Sequence, residues 1–260
     1  RYFDLHPSEA IYYGIGGYDH LLNDYSDETY QSEKAFVEES LAKLRQVSVL
    51  ELDQDEAIDH ALLEGRLMIQ QYEHAKEDYR LKWPDTYSPI DAIYILTVRA
   101  TNDLSANLLS RLGRTPGLIR QGIANLSRRH ANPPKLWTEM AIESAKGGIS
   151  FLDTLPGHPK IQAEVKDKET LRTAIDKAKS AINDFAAFLE RDLLPRRSGV
   201  YAVGEEHFNL LLKKKHFLNH DAESLLAVGE DLFAKTKREL AALADELAPG
   251  KTIEEVARII

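Results

Sequence analysis

Residues 168–194 read KETLRTAIDKAKSAINDFAAFLERDLL, and their apolar positions recur at intervals of four and three. The positions that follow this rhythm are Leu171, Ile175, Ala178, Ile182, Phe185 and Leu189. Because an α-helix makes one turn every 3.6 residues, these side chains share one face of a helix and form a seam that packs against other helices. The stretch therefore predicts a long core helix, which Pro195 closes.

The same rhythm extends on both sides of this stretch. It predicts helices near residues 27–47, 53–81, 204–215 and 221–247, and a run of shorter helices between residues 88 and 150 in which Thr115 and Pro116 start a new helix. The total is eight to eleven antiparallel packed helices, an all-α fold. One short extended segment is expected near residues 199–204, where Val200, Tyr201 and Val203 favour strands.

In residues 53–81, the spacing predicts a buried seam that contains a glycine. The seam comprises Ile58, Leu62, Gly65, Ile69 and Tyr72. Glycine costs about 1 kcal/mol of helix propensity relative to alanine. Its presence here indicates that another helix approaches closely at Gly65.

Length and composition place the chain among folded globular proteins. Its 260 residues are 43% hydrophobic and 29% charged, and we treat them as a single helical region in which a subdivision near residues 131–134 is an option. The formal net charge of -9 argues against a nucleic-acid partner, which would need a basic face. There are no cysteines, and no apolar run reaches the ~20 residues of a membrane span.

The chain lacks the common motifs of hydrolytic and metal sites. None of its nine histidines is followed by glutamate, so there is no HExxH zinc motif, and there is no ExxH or GxSxG motif either. His216 and His220 have the spacing of two ligands on one helix, but Phe217 stands where the catalytic glutamate would be. We read them as a helix-end pair and predict no catalytic residue and no metal ligand within these 260 residues.

Four ordered segments carry a family resemblance. They are PSEAIYYGIGGYDHLLNDYS (7–26), LDQDEAIDHALLEGRL (52–67), the block 125–152 and the block 192–233. Together they resemble the bacterial domain-of-unknown-function eight-eight-five family, whose members look like helical zinc metallopeptidases of the gluzincin type. The family's HExxPGHH zinc motif has no match here. The resemblance implies that this chain is an amino-terminal half, inactive alone, and that zinc and a peptide substrate belong to the full-length protein.

Two features of the termini agree with that expectation. The chain starts at Arg1, and Thr252 is placed to cap a helix carrying Glu254 and Glu255 just before the last residue. We therefore expect a piece of a longer protein. Its compartment stays open: soluble, and either cytoplasmic or exported after removal of a leader.

The break between two long helices, residues 199–226, is the remaining candidate for function. An extended segment beside an active helix can line a substrate groove, and Tyr201 and His207 could then donate hydrogen bonds to a peptide or a tetrahedral intermediate. The alternative is an ordinary loop between helices with Tyr201 packed beneath it. For the whole chain, the alternatives are a non-catalytic helical scaffold or binding module, and a family member that binds a ligand after losing peptidase activity.

Overall fold

The computed structural model describes residues 1–196 and 198–259, in which the regular structure is helical. Short 3-10 turns connect some of the consecutive α-helices. The α-helices in chain order are α1 Tyr2–Leu5, α2 Asp27–Leu44, α3 Gln54–Lys76, α4 Ile90–Val98, α5 Leu104–Leu126, α6 Lys135–Thr154, α7 Pro159–Glu164, α8 Lys168–Phe188, α9 Glu205–Lys214, α10 Ala222–Leu247 and α11 Ile253–Ala257. The predicted all-α class is confirmed.

The chain divides into two compact units. The first comprises Arg1–Val47 and Gln70–Ala202, and the second comprises Ser48–Ile69 and Val203–Ile260. Residues 131–134, where the sequence allowed a subdivision, lie inside the first unit. The chain passes from one unit to the other after Val47, after Ile69 within α3, and after Ala202.

The core of the first unit forms around α8. All six positions of the predicted seam, from Leu171 to Leu189, are buried, and α5 and α6 pack against this helix. The helix begins with Asp167, whose side chain accepts a hydrogen bond from the backbone N–H of Thr170. It continues beyond Phe188 through a π-turn, Leu189–Leu193, and a 3-10 turn, Leu194–Arg196.

The predicted helix start at Thr115 and Pro116 is wrong, because α5 runs through both residues without a break. Proline has no backbone N–H and normally disrupts a helix interior. Here Thr115 is fully buried, and its hydroxyl donates a hydrogen bond to the carbonyl oxygen of Arg111. Tertiary packing holds the helix together across a residue that local propensity treats as a stop.

In the second unit, the close approach expected at Gly65 is confirmed. A Cβ atom on Gly65 would collide with the carbonyl oxygen of Lys214 in α9. The predicted buried seam around it is only partly correct, however. Gly65 and Ile69 are buried, whereas Ile58 and Leu62 are exposed to 51% and 49%. The first turns of α3 therefore leave an apolar face open, which the helical spacing alone could not reveal.

The helix α10 begins with a capping box between Asp221 and Ser224, in which each side chain bonds the other residue's backbone N–H. Thr252 and Glu255 form a second capping box at α11, as expected for Thr252. None of the helices within residues 1–196 and 198–259 is both long enough and apolar enough to cross a membrane.

Candidate functional site

The predicted extended segment, near residues 199–204, starts in the first unit, where its first residues contact residues 132–134. Gly199 forms an isolated parallel bridge with Pro134, and the hydroxyl of Ser198 donates to the side-chain oxygen of Asn132 at 2.8 Å. A Cβ atom on Gly199 would collide with the carbonyl oxygen of Asn132, so the two backbones approach as closely as glycine permits. This anchor holds the start of the segment, and no described residue beyond it is in a strand.

Tyr201 and His207 are placed in different units. Tyr201 belongs to the first unit, and 65% of it is exposed, so it is not packed beneath the loop. His207 belongs to the second unit, in the first turn of α9, where it is half-buried. Glu205 and Glu206 open the same helix, where negative charge is favoured. The proposed substrate-binding role of Tyr201 and His207 stays a prediction.

His216 and His220 do not share a helix. α9 ends at Lys214, Phe217 has a positive φ of 53°, and α10 starts only at Ala222. Nδ1 of His220 lies 3.3 Å from the hydroxyl oxygen of Ser224, at the start of α10. The structure thus supports the reading as a helix-end pair.

A different polar cluster, which the sequence did not reveal, lies inside the first unit around Glu33. The carboxylate oxygen Oε1 of Glu33 is 3.5 Å from Nε2 of His74 and 3.8 Å from Nε2 of His6. Its other oxygen accepts a 3.2 Å hydrogen bond from the hydroxyl of Tyr79. Glu33 is only 7% exposed. We call Glu33, His6, His74 and Tyr79 the Glu33 cluster.

The surroundings of Glu33 keep it ionised. Burial raises the pKa of Glu33, but the interaction with His74, the electrostatic attraction of His6 and His74, and the Tyr79 hydrogen bond outweigh burial, so that its pKa is lowered overall. Burial raises the pKa of Tyr79, and the negative charge of Glu33 raises it further. The cluster thus pairs a carboxylate with a phenol that keeps its proton.

Next to the cluster, Arg80 is almost completely buried and fully hydrogen-bonded. It donates to the carboxylates of Asp78 and Asp27 at 2.7 and 2.9 Å, and to the backbone carbonyl oxygens of Tyr25 and Ser26 at 3.0 and 2.8 Å. Burial lowers the pKa of Arg80, yet the two carboxylates more than offset this effect and raise it. Through these charge-assisted hydrogen bonds, Arg80 links the loop that precedes α2 to the segment that follows α3.

The Glu33 cluster has the chemistry of a structural polar network. It joins the amino-terminal residues, α2 and the end of α3, which places one charge among three partners from distant parts of the chain. Among the residues that the structure describes, no three His, Cys, Asp or Glu side chains are arranged to hold a metal ion. Sequence reasoning missed the cluster because tens of residues separate His6, Glu33 and His74, and no local spacing links them.

Arg111, on α5, is a second buried cation with a different environment. It is fully buried, donates to the carbonyl oxygen of Ala92, and has two further nitrogens, Nε and Nη2, without a hydrogen-bond partner in the described part of the chain. Burial lowers its pKa to about 10. Ala92 also lines a 290 Å³ cleft with the acidic residues Glu9, Asp85 and Asp91, but Arg111 itself does not line that cleft.

Comparisons with known proteins extend this description. None of the curated proteins compared with the chain matches it. A solved structure from Shewanella oneidensis, described as "a putative lipoprotein of unknown function", has the same fold with a TM-score of 0.76 and 22% sequence identity. The match covers 95% of this chain and 46% of that one, so the chain spans less than half the length of this solved relative.

The family comparison covers nearly the whole chain. Residues 7–260 match the model of a family described as "Bacterial protein of unknown function (DUF885)". That range includes Glu33, His74 and Tyr79 of the Glu33 cluster, as well as Arg80, Tyr201 and His207, whereas His6 precedes it. With this extent of match, the chain belongs to the DUF885 family of bacterial proteins.

Proposed function

We propose that this chain is the helical portion of a zinc-dependent metallopeptidase and forms one wall of its substrate cleft. The observation that carries the proposal is the match in which almost all of this chain corresponds to less than half of a solved relative with the same fold. A fold of that length leaves room for a second half that holds the catalytic motif. The peptidase chemistry itself rests on the sequence resemblance.

The residues present here do not fit a zinc site. The nearest approach is the Glu33 cluster, and neither it nor any other group of described residues has the arrangement of three ligands that zinc requires. We therefore assign no step of peptide hydrolysis to this chain. Its proposed contribution is to bind and orient a peptide.

The segment after Gly199 supplies the proposed contact with substrate. Val200 and Tyr201 are both exposed by more than 60%, and the backbone there is not used by a helix. Free backbone N–H and C=O groups can pair with an extended peptide, and an exposed tyrosine hydroxyl can donate to its carbonyl groups. We propose His207 as a second donor, at the start of α9.

Zinc content and peptide turnover test the proposed function. We expect the full-length protein to contain close to one zinc ion per chain by inductively coupled plasma mass spectrometry and to hydrolyse short peptides. The 260-residue chain, purified in the same way, should contain far less than one zinc ion per chain and should not hydrolyse short peptides. Stoichiometric zinc in the 260-residue chain would show that the site has been placed in the wrong half.

Substitutions in the full-length protein test the two proposed substrate contacts. We expect Tyr201→Phe and His207→Ala each to reduce kcat/KM for peptides about tenfold, the size expected for losing one hydrogen bond of about 1.4 kcal/mol. Tyr13→Phe is the matched control, because it removes the hydroxyl of a tyrosine that is similarly exposed in the first unit but lies outside the proposed site, and it should leave turnover unchanged. If both variants turn over peptide at the unmodified rate, residues 199–207 are an ordinary connection between helices.

The second candidate function is a non-catalytic helical binding or scaffold module. The open apolar surface of α10 favours it, because such surfaces on soluble proteins mark places of interaction. If the full-length protein contains no zinc and cleaves no peptide, the result would exclude the metallopeptidase and favour the binding or scaffold module.

A further inference from the structure

Apolar side chains line one face of α10 and are exposed along most of its length. They are Leu226, Leu232, Phe233, Leu240, Leu243 and Leu247, each between 46% and 70% exposed. Their spacing confines them to one side of the helix, since positions three, four and seven apart fall on the same face. We call these six residues the α10 stripe.

The opposite face of α10 is charged. Asp231, Lys235, Arg238 and Asp245 occupy it, and the whole helix carries six acidic and three basic residues. A helix that lies on an anionic membrane surface is normally rich in lysine and arginine on its polar face. The acidic balance of α10 therefore disfavours a lipid surface as the occupant of the stripe and favours a protein surface.

The exposure of α10 is unusual for a helix of this length. Every residue from 226 to 243 is exposed, and the main helix contacts of α10 are with α9 and α11. Helices in water owe most of their stability to packing of an amphipathic face, and the 26 residues of α10 span roughly 39 Å. Contiguous apolar patches on soluble monomers are seldom larger than several hundred Å², and a large exposed patch marks a site of interaction.

We propose that the α10 stripe binds the part of the full-length polypeptide that lies outside these 260 residues. This inference rests on one element of the proposed function, that the chain is a portion of a longer protein, and does not depend on zinc or peptidase chemistry. Its support is the coincidence of an uncovered amphipathic helix with a chain that covers 46% of a solved relative.

Tethering favours this occupant over a second copy of the chain. A segment joined through the same polypeptide meets the stripe at an effective concentration in the millimolar range, whereas another copy is available only at its solution concentration. The intramolecular contact therefore outcompetes self-association whenever the full-length protein is present. In the isolated 260-residue chain the stripe is left open to solvent.

Cysteine labelling tests the proposal directly, because the chain contains no cysteine of its own. Phe233→Cys places a thiol in the stripe, and Asp231→Cys places one on the charged face two residues away. In the 260-residue chain both thiols should react with a maleimide at similar rates. In the full-length protein we expect Phe233→Cys to react at least tenfold more slowly, with Asp231→Cys unchanged. The full-length protein without either substitution gives the background from any other cysteine.

Equal reactivity of Phe233→Cys in the two proteins would overturn the proposal. A second result would also overturn the proposal: Phe233→Cys reacts slowly already in the 260-residue chain, and dilution or the added substitution Leu240→Glu restores its reactivity. That result would show that a second copy of the chain covers the stripe. Protection only on adding anionic vesicles would overturn it in favour of a membrane. Protection in the full-length protein supports the proposal even where zinc and peptide turnover are absent, so its outcome is separate from that of the proposed function.

Discussion

Glu33 and Arg111 show how differently two buried charges are accommodated in this protein. Glu33 has two imidazoles and a phenol around its carboxylate, and these offset the cost of burying it. Arg111 has one carbonyl acceptor and two nitrogens without a hydrogen-bond partner among the described residues, and burial accordingly lowers its pKa. Neither environment is visible in the sequence around the residue, because every partner named here comes from elsewhere in the chain.

The ionised Glu33 should stabilise the folded chain at neutral pH. Its pKa in the folded protein is lowered from the usual 4.5, so its stabilising contribution is present above that value and is lost as the pH falls through the lowered pKa. We expect Glu33→Gln to reduce the free energy of unfolding by about 1–3 kcal/mol at pH 7. The difference from the unmodified protein should shrink as the pH falls below 4.5 towards the lowered pKa of Glu33.

Urea denaturation at pH 7 and at a series of lower pH values measures this effect. Glu38→Gln removes an exposed carboxylate from the same helix and is the matched control, for which we expect a change within about 0.5 kcal/mol. A Glu33→Gln variant with the same pH profile as the unmodified protein would show that the carboxylate charge contributes nothing to folding.

At the scale of elements, the approach of α3 to α9 depends on one missing side chain. Gly65 lets the carbonyl oxygen of Lys214 occupy the space that a Cβ atom would need, and Lys214 also reaches Glu64 through its ammonium group at 3.4 Å. The backbone of α9 cannot yield as a flexible side chain would. The contact therefore limits position 65 to glycine.

We expect Gly65→Ala to destabilise the protein by about 1–3 kcal/mol, because overpacking outweighs the gain in helix propensity of about 1 kcal/mol. Gly147→Ala provides the matched control. Gly147 lies inside α6 with open space around its Cα atom, so the same substitution there should stabilise the protein by roughly 0.5–1 kcal/mol. Chemical denaturation followed by circular dichroism gives both values, and equal signs for the two variants would contradict the packing argument.

Helix boundaries also show where local rules stop being sufficient. Every position of the α8 seam was predictable from the sequence. Apolar residues spaced four and three apart lie on one face of a helix, and burying that face buries all of them. Pro116 was predicted to start a helix and instead lies inside α5, where buried contacts hold the backbone in place. Ile58 and Leu62 have the right spacing for a seam, yet they are exposed because no described residue covers that face of α3.

At the scale of the whole molecule, the candidate sites fall into two groups. The Glu33 cluster and the Arg80 network lie within the first unit, and hydrogen bonds and ion pairs join their charged groups. Nδ1 of His74 is the exception among the atoms of the cluster, since it is buried without a hydrogen-bond partner in the described part of the chain. The exposed residues Val200 and Tyr201 and the α10 stripe have no such internal explanation. Because this chain corresponds to 46% of a solved relative, we propose that the α10 stripe binds the remainder of a full-length protein. Val200 and Tyr201 are instead proposed to contact its peptide substrate.

The amino-acid sequence by itself determined the all-α class, the buried face of α8, the capping of α11 and the close contact at Gly65. Each of these depends on periodicity or on the local chemistry of a few neighbouring residues. Only the tertiary structure decided that α5 continues through Pro116, that Glu33 is buried between two histidines, and that α10 has an uncovered apolar face. These outcomes depend on which distant surfaces meet, because burial is a property of the packed molecule and the spacing of residues along the chain does not specify it.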